Sequence, residues 1–158
     1  MEYRNELILL APDAGALKKT YKIAKTIEYG KEVIFCEKQR NTKTGEITGT
    51  KIYTNAIKDK MFIIFDDICD GGRTFIEIAK VLKAQGAKKV ILAVSHGIFS
   101  KGLEPLFEYI DEVFCTDSFN SLLNFTSPLG GYYKEYSALE LMLGYDEKQL
   151  EKDMRKAI

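Results

Sequence analysis

The chain has 158 residues, of which 46% are hydrophobic and 29% are charged. This is the size and composition of one globular domain with a substantial core, which argues against intrinsic disorder. The 23 lysines and arginines balance 23 aspartates and glutamates, which excludes a protein that holds nucleic acid or an anionic membrane through bulk positive charge. A local basic site for a small phosphorylated ligand is compatible with this balance.

Three cysteines, Cys36, Cys69 and Cys115, stand far apart, and the only histidine is His96. Because there is no C-x-x-C pair and no zinc-site spacing, neither a disulfide framework nor structural zinc is predicted. The first residues lack the features of a signal peptide, and no apolar stretch reaches membrane-spanning length. We therefore expect a cytoplasmic protein with no membrane partner.

Short apolar runs alternate with segments of helical periodicity along the chain. The runs are largely apolar throughout, which is typical of strands covered on both faces. Gly30 and Gly86 stand at the expected ends of the first two helices. The alternation predicts an α/β fold with a mostly parallel sheet and helices on both faces. The predicted strands are 7–10, 33–36, 61–65, 90–94 and 113–115, and the helical stripes are Leu17, Tyr21, Ala24 and Ile27, then Phe75, Ile78, Ala79 and Leu82, then Leu103, Leu106, Phe107 and Ile110.

Two segments interrupt this alternation. Residues 37–60 are polar and contain glycine, and they are too long for a plain connection, so a mobile loop or a short hairpin is expected. Such segments commonly form lids over active sites, and a hairpin without function is the alternative. Residues 119–136 are rich in aromatic residues, Ser, Asn and Gly, and no function is readable there. No repeat or domain linker is evident, so residues 1–158 are predicted to form a single domain.

The strongest functional signal is residues 61–74, where an apolar strand leads into aspartates, a Gly-Gly turn and a predicted helix. Ligands of open parallel sheets bind at the carboxyl ends of strands. Asp66 and Asp67 are suited to a vicinal diol or to hydrated Mg²⁺, while Gly71 and Gly72 let the backbone approach an anion at the helix start. A ribose 5-phosphate combines these features. The alternative is an ordinary turn with acidic caps, but paired carboxylates at the end of an apolar strand need partners.

The segment FDDICDGGRT resembles the phosphoribosyl-pyrophosphate binding motif of type I phosphoribosyltransferases, which implies a phosphoribosyltransferase-like fold. Gly71 stands where the motif usually has threonine, which removes one hydroxyl, and Arg73 replaces a small residue. A cation beside a phosphate is physically reasonable. The ribose- and phosphate-binding residues that the resemblance implies are Asp66, Asp67, Asp70, Gly71, Gly72, Arg73 and Thr74.

Four further segments are similar to the C-terminal half of ribose-phosphate pyrophosphokinases. APDAGA (11–16) resembles S-P-D-x-G-G, and EKQR (37–40) resembles D-K-R-R. SHGIFSKG (95–102) resembles T-H-G-V-L-S-G with one inserted residue, and TDS (116–118) resembles T-D/N-S/T. The matches occur in order from about residue 7 to residue 119, whereas the tail, 120–158, matches weakly.

The resemblance implies a transferase that moves a pyrophosphoryl group from ATP to ribose 5-phosphate, giving AMP and phosphoribosyl pyrophosphate with Mg²⁺. Lys38 and Arg40 match the family's catalytic positions; without the resemblance they are read as an exposed basic loop. Asp13 binds a metal ion, with Asp66 and Asp67, or it contacts the region of the ribose 1-hydroxyl; the alternative is that it caps the helix that follows it. Beside these residues, His96 is expected to be structural and Cys69 to be a packed thiol.

The resemblance also bears on partners. The full pyrophosphokinase has two similar domains, its ATP site draws on the first domain and on neighbouring subunits, and this chain begins where the second would. An excised domain and a natural stand-alone protein are both compatible with this, and a homo-oligomer is expected. Three hypotheses follow: a pyrophosphokinase module, a stand-alone phosphoribosyltransferase that uses phosphoribosyl pyrophosphate and a nucleobase, and a non-catalytic or regulatory binder.

Overall fold

The structure is a computed structural model that describes residues 6–40, 47–54, 56–119 and 130–136. Within these ranges no helix is long and apolar enough to cross a membrane. The same ranges contain seven strands and three helices: β1 (Leu7–Ala11), α1 (Ala14–Thr26), β2 (Ile34–Arg40), β3 (Ile47–Ile52), β4 (Met61–Cys69), α2 (Arg73–Ala84), β5 (Lys89–Gly97), α3 (Glu104–Phe107), β6 (Glu112–Thr116) and β7 (Tyr132–Tyr136).

The seven strands form one sheet in the order β3-β2-β1-β4-β5-β6-β7. Every neighbouring pair is parallel except β2 and β3, which are antiparallel. The predicted mostly parallel sheet is therefore confirmed. The chain runs from β1 to β2 on one side and later returns to β4 on the other, so the strand order reverses between β1 and β4. Such a switch point opens a crevice at the carboxyl ends of the two strands.

Two apolar cores cover the two faces of the sheet, as the continuously apolar strands predict. On one face, strand residues such as Leu9 and Ile63 pack in a cluster with Ala24 of α1. On the other, Phe62 packs in a cluster with Ile78 of α2. Alternate residues of β4 thus enter opposite cores, and the expectation of helices on both faces is confirmed.

The ends of α1 and α2 have the same geometry but different residues. Gly86 follows α2 in the left-handed conformation (φ 85°), and the N–H groups of Gly86 and Ala87 donate to carbonyls three and five residues back at 3.0 Å each. The equivalent left-handed position after α1 is Glu28 (φ 51°), with the same two bonds made by Glu28 and Tyr29. The expected C-cap at Gly86 is confirmed, whereas the one at Gly30 is wrong by two residues. Glu28 adopts the left-handed conformation that glycine usually provides at this position, which is energetically less favourable for a residue with a side chain.

Two predicted helical features need correction. Tyr21 is 46% exposed, and its place in the buried stripe of α1 is taken by Thr20, whose hydroxyl donates to the Ala16 carbonyl at 3.0 Å. Because that bond satisfies the hydroxyl, a polar residue can face the core. The third predicted helix shrinks to Glu104–Phe107, although the apolar residues around it are buried as expected.

Both irregular segments contain strand residues. Of the two alternatives for residues 37–60, the hairpin is confirmed: β2 continues to Arg40 and pairs with β3. Strand β7 lies within the segment 119–136 and pairs in parallel with β6; it was not predicted. Its sequence, YYKEY, lacks an apolar run, and within the described residues β7 pairs with β6 alone and Tyr136 is its one buried residue. Residues 120–129 and the tail from 137 lie outside the described residues.

Candidate functional site

The carboxyl ends of β2, β1, β4, β5 and β6 lie side by side along one edge of the sheet, because these neighbouring strands are parallel. Each segment that the sequence singled out follows, or forms the end of, one of these strands. The switch point between β1 and β4 is at the centre of this edge. The segments, in sheet order, are 37–40, 11–16, 66–74, 95–102 and 116–118.

The paired aspartates belong to β4 itself. The strand continues four residues beyond its predicted end, to Cys69, with Asp66 beside Val94 of β5. Both carboxylates are partly buried, and Asp66 Oδ1 accepts the Asp67 N–H at 2.8 Å. The backbone ladder therefore holds the two carboxylates firmly at the sheet edge, next to the turn that leads into α2.

The turn between β4 and α2 leaves the start of the helix open. Gly72 is the N-cap in the left-handed conformation (φ 73°), with no side-chain cap, and the first turn has no acidic residue. A Cβ at Gly72 would lie 2.7 Å from Leu106 Cδ2, so both backbone and packing require glycine. Asp70, Gly71 and Arg73 are exposed. Unsatisfied N–H groups, a positive helix end and an arginine together favour an anion.

The neighbouring turn between β1 and α1 is closed. Asp13 Oδ1 accepts the N–H of Ala16 at 3.0 Å and caps α1, so the capping alternative for Asp13 is confirmed. A Cβ at Gly15 would lie 3.1 Å from the same carboxylate oxygen, so the glycine leaves room for the cap. The helix start at this turn is occupied by its own side chain.

Lys19 of α1 links the two turns through an ion pair with Asp67 Oδ2. The side chains are 53% and 48% exposed, so the pair contributes little to stability. It places a cation against one of the two carboxylates and lowers the negative charge of the crevice. Lys19 could not be singled out from the sequence, because α1 carries several lysines and only the packing of α1 over β4 distinguishes this one.

The segment after β5 is fastened to the end of β4. The Cys69 carbonyl accepts the N–H groups of Ile98 and Phe99 at 2.9 and 3.1 Å. Phe99 is buried and has a positive φ of 47°, an unfavourable conformation for a bulky residue. A Cβ at Gly97 would overlap the Phe99 ring and lie 2.6 Å from Cys115 Sγ. Glycine at 97 therefore lets this ring pack beside the site.

A hydroxyl network joins the ends of β5 and β6. Ser118 Oγ lies 2.6 Å from His96 Nδ1 and 2.8 Å from Thr116 Oγ1. The Thr116 and Ser118 hydroxyls both reach the Ser95 carbonyl, at 2.5 and 3.0 Å. These bonds connect the TDS segment to the end of β5 and include the His96 ring, and the structural role expected for His96 stays a prediction.

The two cysteines nearest the site are protonated and inaccessible. Cys69 is fully buried, and burial raises the pKa of its thiol to about 12. Burial likewise raises the pKa of Cys115 to about 11. Because the thiolate is the nucleophile, neither cysteine is suited to covalent catalysis, and the prediction of a packed thiol at Cys69 is confirmed.

Lys38 and Arg40 lie at the carboxyl end of β2, where their backbones pair with Thr50 and Ile47 of β3. The register shifts between Gln39 and Arg40. The side chains of both basic residues lie outside the described part of the structure, so their catalytic role stays a prediction.

The acidic residues fit only one type of metal site. No group of three or more His, Cys, Asp or Glu side chains able to hold a metal ion occurs within the described ranges. The adjacent Asp66 and Asp67 supply two carboxylates at most, and Asp13 is engaged as a cap. Mg²⁺ commonly keeps its waters and is bound by one or two carboxylates together with substrate phosphates. The donor set fits that arrangement, not an all-protein cage.

Comparisons with known proteins agree with this geometry. The chain is 38% identical to a ribose-phosphate pyrophosphokinase of Pyrococcus furiosus over 72% of this chain and 39% of the relative. It is 36% identical to that of Mycoplasmopsis pulmonis, over 72% of this chain and 35% of the relative. The chain thus spans little more than a third of the curated relatives it matches.

The fold is also that of a solved pyrophosphokinase. The crystal structure of phosphoribosylpyrophosphate synthetase from Mycobacterium smegmatis superposes with a TM-score of 0.71 at 24% identity, covering 95% of this chain and 47% of that one. Residues 2–126 match the family model described as the phosphoribosyl transferase domain. The predicted phosphoribosyltransferase-like fold is confirmed, and the chain belongs to the phosphoribosyl transferase domain family.

Proposed function

We propose that this edge of the sheet binds ribose 5-phosphate or phosphoribosyl pyrophosphate, and that the chain acts as a module of a ribose-phosphate pyrophosphokinase. The reaction converts ATP and ribose 5-phosphate to AMP and phosphoribosyl pyrophosphate. The main support for the proposal is that the start of α2, which has no side-chain cap, lies directly beside Asp66 and Asp67. An anion site and a diol-binding site lie next to each other, as the two ends of a ribose 5-phosphate require.

The phosphate and the sugar are assigned to different parts of the turn. The N–H groups of residues 71–74 and the Arg73 guanidinium would hold the 5-phosphate, with the Thr74 hydroxyl as a further donor. Asp66 and Asp67 would accept hydrogen bonds from the ribose diol. Asp70, which is exposed at the same turn, would lie at the sugar side, away from the phosphate.

The chemical step needs positioning and charge stabilisation more than covalent participation by the protein. The ribose 1-hydroxyl releases its proton to water as its oxygen forms a bond to the β-phosphorus of ATP, and the bond from that phosphorus to the oxygen bridging the α- and β-phosphates breaks, releasing AMP. Lys38 and Arg40, at the end of β2, would stabilise the charge that develops on the transferred group. Their position in the hairpin would allow approach after both substrates are bound.

Mg²⁺ would neutralise phosphate charge when bound. Asp66 and Asp67 would hold it through its water shell, together with the phosphates of the substrate. Lys19, which pairs with Asp67, would stay beside the ligand as a further cation in the crevice. Asp13 Oδ1 accepts the Ala16 N–H, and a metal-binding role for Asp13 beside this cap stays a prediction.

The length of the match supports a divided ATP site. The chain covers 39% and 35% of two pyrophosphokinases, so we propose that residues 1–158 form one domain and that ATP contacts come from a further domain or subunit. A homo-oligomer is one way to provide them. No nucleic-acid partner is proposed, because the net charge is zero.

The purified chain, given ribose 5-phosphate, ATP and Mg²⁺, tests this proposal through the release of AMP. We expect AMP formation that falls about 100-fold or more in Lys38→Ala, because a charge-stabilising donor is removed. Lys51→Ala is the matched control, since Lys51 lies on the partner strand of the same hairpin, opposite Glu37, and it should retain activity.

Two outcomes contradict the pyrophosphokinase proposal. Pyrophosphate release from phosphoribosyl pyrophosphate with a nucleobase, and no AMP, would indicate a stand-alone phosphoribosyltransferase. Saturable ribose 5-phosphate binding with no turnover, even when a full-length relative inactivated at its own catalytic lysine supplies the ATP site, would indicate a non-catalytic binder.

A further inference from the structure

The space beside Gly71 is filled by the segment that follows β5. A Cβ added at Gly71 would lie 3.7 Å from Lys101 Cγ and 3.9 Å from Ser100 Oγ, which are ordinary van der Waals distances. Position 71 is where the binding motif usually has a threonine. This chain therefore lacks a side-chain hydroxyl at position 71, and the Ser100 hydroxyl and the Lys101 stem from another segment lie within van der Waals contact of that position.

This placement of Ser100 and Lys101 is set by the backbone. The N–H groups of Ile98 and Phe99 donate to the carbonyl of Cys69, just before the turn. The Gly102 N–H donates to the Phe99 carbonyl at 2.8 Å and closes a tight turn around Ser100 and Lys101. The segment is thus attached to the end of β4 and cannot move away from the turn without breaking these bonds.

The charge of Lys101 is available to a ligand. Lys101 is exposed, and within the described residues its ammonium makes no ion pair. The segment 95–102 is one residue longer than the pattern it resembles, and with Ser100 matched to the serine of that pattern, the additional residue is Lys101. The position that lacks the hydroxyl and the stem of the additional lysine are therefore in van der Waals contact.

We propose that Lys101, with the hydroxyl of Ser100, binds the 5-phosphate of the ligand and replaces the contact that a threonine at position 71 would make. The inference rests on the proposed function, because it assigns further residues to the same phosphate site. Lys101 contributes a cationic donor to the phosphate anion, whereas a threonine hydroxyl would contribute a neutral donor to the same anion, so the contact made by the lysine is the stronger one. Together with Arg73 it gives the open start of α2 two cations.

Binding of ribose 5-phosphate by isothermal titration calorimetry tests the role of Lys101. Lys101→Met keeps the alkyl stem beside Gly71 and removes the charge, so we expect affinity to fall about tenfold. Lys101→Arg should restore affinity to within about twofold. Lys22→Met, an equivalent change at an exposed lysine of α1, should have no effect. The dependence of affinity on NaCl should also be weaker in Lys101→Met, because one charge fewer contacts the phosphate.

A double-mutant cycle tests the replacement itself. A threonine at 71 restores the hydroxyl in a space that accepts its Cβ. Adding Lys101→Met to Gly71→Thr should therefore lower the affinity for ribose 5-phosphate only about threefold. If Lys101→Met lowered the affinity equally in the natural chain and in Gly71→Thr, Lys101 would not be replacing the contact of a threonine at position 71. Unchanged affinity in Lys101→Met, while the natural chain binds, would overturn this inference and leave the proposed function standing. Failure of the natural chain to bind ribose 5-phosphate at all would contradict the proposed function.

Discussion

The two strand-to-helix turns at the centre of the sheet edge occupy equivalent places in neighbouring βα units, yet the helix start is capped by a side chain in one and uncapped in the other. Asp13 caps α1 with its own carboxylate, whereas α2 begins at Gly72 with no side-chain cap. A capped helix start has less to offer an anion, because its N–H groups are partly satisfied. The difference supports the proposal that phosphate binds at the turn between β4 and α2 and not at the turn between β1 and α1.

The largest change in ribose 5-phosphate affinity is expected when the two carboxylates beside the open turn are replaced. Asp66→Asn with Asp67→Asn should weaken ribose 5-phosphate binding about 100-fold, because two charge-assisted hydrogen bonds to the diol become neutral ones. Calorimetry measures the affinity. Glu77→Gln on the exposed surface of α2 is the control for loss of a carboxylate. Affinity within about twofold of the natural chain in the double variant would refute the sugar-binding role.

A smaller effect is expected at the closed turn. Asp13→Ala should lower the free energy of unfolding by about 1 kcal/mol, because the cap of α1 is lost, while Asp13→Asn should preserve stability. Denaturant unfolding measures both. Each variant should bind ribose 5-phosphate within about twofold of the natural chain, since Asp13 serves its own helix. A large loss of affinity in Asp13→Asn would show that the closed turn also contacts the ligand.

The smallest effect concerns the ion pair that joins the two turns. Lys19→Ala should weaken ribose 5-phosphate binding about threefold, because a cation is removed from a crevice that receives an anion. Thermal stability should change little, since both partners are about half exposed. Lys22→Ala on the same helix is the matched control. Tighter binding by Lys19→Ala would mean that the pair competes with the ligand for Asp67.

The parts of the site that are continuous in sequence could be predicted from it. The apolar strand, the aspartates and the Gly-Gly turn of residues 61–74 carry their own signal, because strand burial and helix starts are local properties. The other segments were found in order along the chain, and the parallel sheet brings them to one edge. Apolar runs of strand length predicted β1, β2, β4, β5 and β6, although these strands end between one and four residues later than predicted.

Contacts between distant segments could not be predicted. The pairing of Lys19 with Asp67 and the approach of Lys101 to Gly71 depend on how a helix and a turn pack on the sheet. Strand β7 has no apolar run, and its place is set by pairing with β6. The left-handed Glu28 lies where the geometry of the helix end, and not residue preference, decides the conformation.

Backbone amide resonances, followed by heteronuclear NMR during titration with ribose 5-phosphate, test the central claim most directly. The account predicts saturable shifts concentrated at Gly71, Gly72, Arg73 and Thr74, at the open start of α2, with small changes at Ala14–Leu17 in the capped start of α1. Shifts concentrated at Ala14–Leu17, or no saturable shift at either turn, would contradict it.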